Sequence, residues 1–331
     1  MPPVSKERIE WIDIARGLGL LLVFVGHIHP PYITTWIYTF HMPLFFFLSG
    51  MVFSMHPWKD FIRKKIWRLV IPYFCLGAVI YLFYAAVYIY EQRDGDEYGR
   101  MLINFLEQKA FWTIWFLAAL FFAEIILWLQ FRLFPQWLIK ITSPLIMLCA
   151  FAWYRSGGST LPWCFDVACV AQFFIYTGYL FKRNYHKLRL KKYQKLSAII
   201  LLLIINIVAG MACIKFSRSQ LDMSVGLYGN ELLTLISAFA GIGAVILFCQ
   251  MITSKFLTYL GKNTMVFFGW HSRIVIVACG MIYGALGFFQ DKSISSQILY
   301  CITTLIMIFV ILYPTTEILR KHKKIGKYFG V

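Results

Sequence analysis

A few ionisable side chains sit inside long apolar stretches, and these could do chemistry. The first stretch carries Trp11-Ile12-Asp13-Ile14-Ala15-Arg16-Gly17 and, further on, Val25-Gly26-His27. Eleven residues of α-helix are three turns plus about 20°, so Arg16 and His27 project from one face, about 16 Å apart along the axis. Asp13, one turn before Arg16, is spaced to pair with its guanidinium and lower the cost of burying either charge. The second stretch contains Phe40-His41-Met42-Pro43-Leu44-Phe45-Phe46-Phe47-Leu48-Ser49-Gly50. His41 lies about two turns from where that stretch begins, near the expected depth of His27. Two imidazoles at one depth suit proton transfer, because imidazole titrates near neutrality. The competing use is structural, each ring bonding a backbone carbonyl and packing.

Other polar residues extend the pattern. Glu124 follows Trp112 by twelve residues, about 18 Å deeper, where it can meet Arg16 as a structural ion pair or serve as an acid. A later stretch opens with Gly261-Lys262-Asn263-Thr264 and buries His271 and Arg273. Arg273 calls for a polar cavity, an anionic partner or a structural polar cluster at that depth. The run Arg63-Lys64-Lys65-Ile66-Trp67-Arg68 is either a basic collar that sets topology or a set of phosphate-binding cations. Trp36, Trp112, Trp115, Trp153 and Trp163 suit an interfacial aromatic belt, and some could stack on a sugar ring.

The elements that must hold these residues are membrane helices. Of 331 residues, 60% are apolar and 14% charged. That excludes a water-soluble surface and disorder alike. About 20 apolar residues cross a bilayer as a helix. Ten such segments are readable, at 12–29, 35–56, 69–90, 111–131, 137–154, 164–181, 196–214, 231–252, 263–288 and 297–319. The first lacks the small-residue cleavage site of a signal peptide. The expectation is an all-α, polytopic, single transmembrane domain without a soluble appendage. The net charge of +17 resolves by position. With the N-terminus inside, 23 Lys and Arg fall on inner segments and 7 on outer ones, and the longest outer loop is acidic (Glu91, Asp94, Asp96, Glu97). That asymmetry puts both termini in the cytoplasm and makes membrane lipids, with no nucleic acid, sufficient to explain the basic excess. The eight Cys are scattered without a CxxC pair, which reads as core packing rather than a disulfide or metal site; no metal is expected.

The sequence resembles acyltransferase family 3, the integral-membrane O-acyltransferases of sugars and polysaccharides. Asp13, Arg16-Gly17 and Gly26-His27 match that family's Arg, ten residues, His signature. Phe40-His41-Met42-Pro43-Leu44-Phe45-Phe46 with Ser49-Gly50, and Arg68-Leu69-Val70-Ile71-Pro72-Tyr73, carry the resemblance further. Trp115-Phe116-Leu117 and Tyr259-Leu260-Gly261-Lys262-Asn263 add weaker support. The resemblance implies a multi-pass enzyme of a bacterial inner membrane. It would move an acyl group, usually acetyl from cytoplasmic acetyl-CoA, to a hydroxyl of a cell-envelope carbohydrate or lipid-linked glycan. His27 and Arg16 would then be essential, with His41 beside them. Asp13, Arg63, Lys65, Arg68, Glu124, Asn263, His271 and Arg273 are the candidates for holding the donor. Direct transfer and an acetyl-His intermediate are both consistent with this arrangement. The rival class is a transporter or flippase of lipid-linked saccharide. A transporter should show matching broken helices in two halves, whereas the polar load here is concentrated in the first hairpin.

Overall fold

In a computed structural model, residues 9–28, 30, 33–92, 95–108, 112–187, 190–217, 221–289 and 293–331 are described. Lys6, Arg8, Arg93, Asp94, Lys109, Arg189, Arg218 and Lys292, which entered the charge tally, lie outside them.

Among the described residues, ten helices are long and apolar enough to cross a membrane: α1 (Glu10–Ile28), α2 (Ile33–Val52), α3 (Trp58–Glu91), α4 (Trp115–Leu133), α5 (Gln136–Arg155), α6 (Pro162–Asn184), α7 (Lys192–Phe216), α8 (Glu231–Cys249), α9 (Thr264–Ala285) and α10 (Ile294–Lys321). Each expected span corresponds to one of them. The largest difference is in α3. It starts eleven residues before the expected 69, because the basic run is itself helical, over Trp58–Lys65. The chain is thus an all-α, multi-pass protein. Large apolar side chains such as Leu201, Val208 and Met211 on α7, and Ile298, Ile306 and Val310 on α10, point outward, as lipid-facing positions require. Phe24, Phe40, Phe46, Tyr73, Phe174 and Phe267 fill the interior.

Small residues let particular helices approach closely. A Cβ at Gly50 would strike the Ile175 carbonyl, and one at Gly178 the Phe47 carbonyl, so α2 and α6 meet backbone to backbone. The same reciprocity joins α1 to a short helix, Lys255–Lys262. Gly17 lies against the Leu257 carbonyl and Gly261 against the Asp13 carbonyl. These contacts fix α1 and α2, the helices that carry Arg16, His27 and His41.

Three departures from regular α-helix lie beside polar residues. The α-helix of α2 is broken by a turn at 39–40, and His41 opens the next segment. Ile66–Val70 in α3 and His271–Ile276 in α9 are π-helical. Cross-helix hydrogen bonds brace the first break. Trp36 Nε1 donates to Asn206 Oδ1 (2.5 Å), and Asn206 Nδ2 donates to Thr39 Oγ1 (3.1 Å) and the Ser237 carbonyl (2.8 Å). Trp36 is therefore anchored to α7 and is more than a belt residue.

The acidic segment after α3 is not a simple loop. Gly95–Leu106 forms a helix folded back on α3, where Tyr98 stacks on Tyr81 at 4.3 Å and Tyr73 donates to the Phe105 carbonyl (3.1 Å). All the cysteines are free thiols, Cys164 and Cys169 included.

Candidate active site

The end of α1 and the middle parts of α2 and α9 border a cavity of about 440 Å³. His27, Tyr38 and His41 line one wall, and Ser272, Arg273 and Ile276 another. Thr113, from the turn just before α4, and Trp115, its first residue, contribute, as do Asp222 and Ser224 from the α7–α8 connection. Imidazoles, hydroxyls, one carboxylate, one guanidinium and an indole thus face a single space. Convergent polar groups in a partly apolar cavity are the mark of a small-molecule site.

The α7–α8 connection is held rigidly. Asp222 and Leu227 exchange both backbone hydrogen bonds at 2.9 Å. Asp222 Oδ1 accepts from Ser224 N (2.9 Å) and Ser224 Oγ (2.6 Å). Gly226 takes φ +72° there, and a Cβ at that position would run into the Tyr154 ring. Burial, with the charges of Asp166 and Asp222 nearby, holds the Tyr228 phenol well above its ordinary pKa, so it stays protonated.

Hydrogen bonds assign the histidine tautomers. His27 Nδ1 is 2.9 Å from the Val23 carbonyl and His41 Nδ1 is 2.9 Å from the Ile37 carbonyl. His271 Nδ1 is 3.0 Å from the Phe267 carbonyl and 2.9 Å from that of Phe268. A carbonyl only accepts, so each Nδ1 carries the hydrogen and each Nε2 the lone pair. The ring bonded to His27 is not His41 but His271, whose Nε2 lies 3.3 Å from His27 Nδ1. Tyr38 stands between the other two, its ring centroid 6.3 Å from that of His27 and 4.8 Å from that of His41.

Other candidates lie elsewhere. Arg16 Nη1 is 3.8 Å from Asp13 Oδ1, the pairing their spacing suggested, and along α1 Arg16 stands about 16 Å and Asp13 about 21 Å from His27. Glu124 does not meet Arg16. Its Oε2 is 2.5 Å from Lys65 Nζ, because the π-helical turn of α3 packs on α4 there. Glu124 is nine residues beyond cavity-lining Trp115, about 14 Å along α4. Arg63 borders a separate groove with Trp58, Lys59 and Trp67, and Arg68 is exposed. Asn263 Nδ2 donates to the Tyr259 carbonyl (2.8 Å) and closes the Lys255–Lys262 helix. The side chain of Trp112 lies outside the described residues; Trp115 lines the cavity, and Trp163 packs against Phe74 and Phe122.

The family model described as Acyltransferase domain, that of acyltransferase family 3, matches residues 9–314. The chain belongs to this membrane acyltransferase family. The matched region contains every lining residue of the cavity. No curated protein and no solved structure matches this acyltransferase. Tyr38, Thr113, Ser224 and Ser272 had no distinguishing signal in the sequence. Asp222 was findable only as an acid in an otherwise short polar connection between two strongly apolar segments.

Proposed function

We propose that this acyltransferase moves an acetyl group from acetyl-CoA to a hydroxyl of a cell-envelope carbohydrate, with His27 as the general base. One observation carries the reading: His27 and His41, both with Nε2 as the lone-pair nitrogen, line one cavity also walled by hydroxyl, carboxylate and guanidinium groups. In this mechanism His27 Nε2 takes the acceptor hydroxyl's proton as its oxygen bonds to the thioester carbonyl carbon. The tetrahedral intermediate collapses, the C–S bond breaks, and the sulfur leaves as thiolate. The imidazolium returns the proton, giving CoA thiol, the acetyl ester and neutral His27. Asp222, Ser224 and Trp115 face the acceptor, and Arg273 faces the developing oxyanion. His41 is the second ring in reach of the acceptor.

The donor enters from the cytoplasmic end, where the basic excess is expected. Arg63 and Arg68 hold its phosphates, and Arg16, fixed by Asp13, orients the arm that leads to the cavity. Lys65 is committed to Glu124. The experiment is transfer of label from radiolabelled acetyl-CoA in membranes expressing wild type or His27→Ala at matched levels. The variant is expected to lose transfer by about 10²- to 10⁴-fold. Transfer at the wild-type rate sinks the base assignment. Saccharide movement across proteoliposomes without label transfer sinks the enzyme reading in favour of a carrier.

A further inference from the structure

We infer that His271 is a positioning residue for His27, its Nε2 lone pair aimed at the His27 Nδ1–H so as to fix that ring and hold its positive charge when His27 is protonated. The inference rests on His27 being the base and goes beyond it by giving a role to a residue on another helix that touches no substrate.

The geometry supports a directed bond rather than packing alone. His271 is fully buried. The two imidazoles meet edge to face, with centroids 4.9 Å apart and planes at 78°, and the contacting atoms are Nε2 of one and Nδ1 of the other at 3.3 Å. Phe24, with its centroid 4.9 Å away, and Phe268, at 6.3 Å, enclose the His271 ring on other sides. The carbonyls of Phe267 and Phe268 both take up its Nδ1–H, so that hydrogen cannot turn toward His27. His271 therefore enters the contact as a neutral imidazole with its negative end toward His27. The result is one polarised chain, from His27 Nδ1–H to His271 Nε2 and from His271 Nδ1–H to two carbonyls. Such chains strengthen cooperatively in a low-dielectric interior.

The Val23 carbonyl shares the His27 Nδ1–H at 2.9 Å and by itself selects the tautomer. What His271 adds is a second acceptor from α9, off the α1 axis, which removes the ring's freedom to swing about its own helix. It also adds a dipole that favours the imidazolium. The π-helical segment beginning at His271 sets this register, while Arg273 two residues later lines the cavity. Nothing crosses this bond during the reaction: the proton stays on His27 Nε2 until the thiolate takes it.

The test uses initial rates of label transfer from radiolabelled acetyl-CoA in membranes expressing wild type, His27→Ala, His271→Phe, His271→Asn and His271→Gln. Phe keeps the ring and removes the acceptor. Gln can present an amide oxygen near the Nε2 position, whereas Asn reaches only as far as Nδ1. His271→Phe is expected to lower kcat about 100-fold with the KM for acetyl-CoA within about two-fold of wild type. His271→Gln is expected to stay within about five-fold of wild type, and His271→Asn to fall with Phe. If the Phe variant fails to accumulate, the Asn–Gln contrast decides, since both keep an amide beside the Phe267 and Phe268 carbonyls. Phe at the wild-type rate, or Gln no better than Asn, overturns the inference while His27→Ala remains dead. His27→Ala equal to wild type overturns the base assignment and this inference with it.

Discussion

Replacing Lys65 by Met leaves Glu124 buried without its cation. The side chains are 17% and 4% exposed, and their charged atoms are 2.5 Å apart. At an effective dielectric constant of ~20, Coulomb's law gives a gross attraction of about 7 kcal/mol at that distance. Taking both charges out of water opposes this by several kcal/mol per ion, so the intact pair contributes little net stability. The single variant keeps the desolvation of Glu124 and loses the attraction, a destabilisation of about 3–5 kcal/mol. Lys65→Met combined with Glu124→Leu removes both charges at similar volume and is expected to recover most of that loss. The Met stem still lies along Phe61, over whose ring the Lys65 ammonium sits at 5.5 Å, so lost packing is a small part of the effect. Unfolding of the purified protein in mixed micelles, titrated with denaturing detergent and followed by the fluorescence of its eleven tryptophans, reads the difference. A Lys65→Met protein as stable as wild type, or a double variant no more stable than the single, refutes the pairing of Lys65 with Glu124.

Arg63→Ala with Arg68→Ala should raise the KM for acetyl-CoA by about ten-fold with a smaller change in kcat, since a hydrogen bond to a charged group contributes roughly 1.5–3 kcal/mol and these side chains are exposed. An unchanged donor KM in the radiolabel assay would return them to a purely topological role. Gly178→Leu should destabilise the bundle by several kcal/mol and lower activity, because its Cβ meets the Phe47 backbone and pushes apart the helices that seat His41. Gly280→Ala is the control: its Cβ would meet open space, so mixed-micelle unfolding should show no loss.

The ten spans were legible because bilayer thickness and backbone satisfaction leave a simple signature, a long apolar run. The Asp13–Arg16 pair was legible too, since one helix and a three-residue spacing decide it. What was not legible depends on which helices are neighbours. Glu124 has the depth to meet Arg16, but the π-helical turn of α3 brings Lys65 against α4 instead. His27 was paired by depth with His41. Depth says nothing of azimuth, and α9 brings His271 nearer to it. Asp222 reached the cavity through a connection whose shape comes from its own Ser224 and Leu227 bonds, details below the resolution of hydropathy.

Each of the three histidines at this site bonds a backbone carbonyl three or four residues back. At the break in α2, Thr39 Oγ1 bonds the Trp36 carbonyl and His41 Nδ1 bonds that of Ile37. At the π-helical turn of α9, His271 Nδ1 bonds the carbonyls of Phe267 and Phe268. A Ser or Thr could satisfy the same carbonyls but would present no second nitrogen. An imidazole bonds the backbone through Nδ1 and, by that bond, is left with its lone pair on Nε2 at the far edge of the ring. The bond to the backbone therefore also sets the tautomer a general base requires. On this argument the structural and chemical uses of His41 and His271 are not alternatives, and a substitution that preserves only one of them should not preserve acyl transfer.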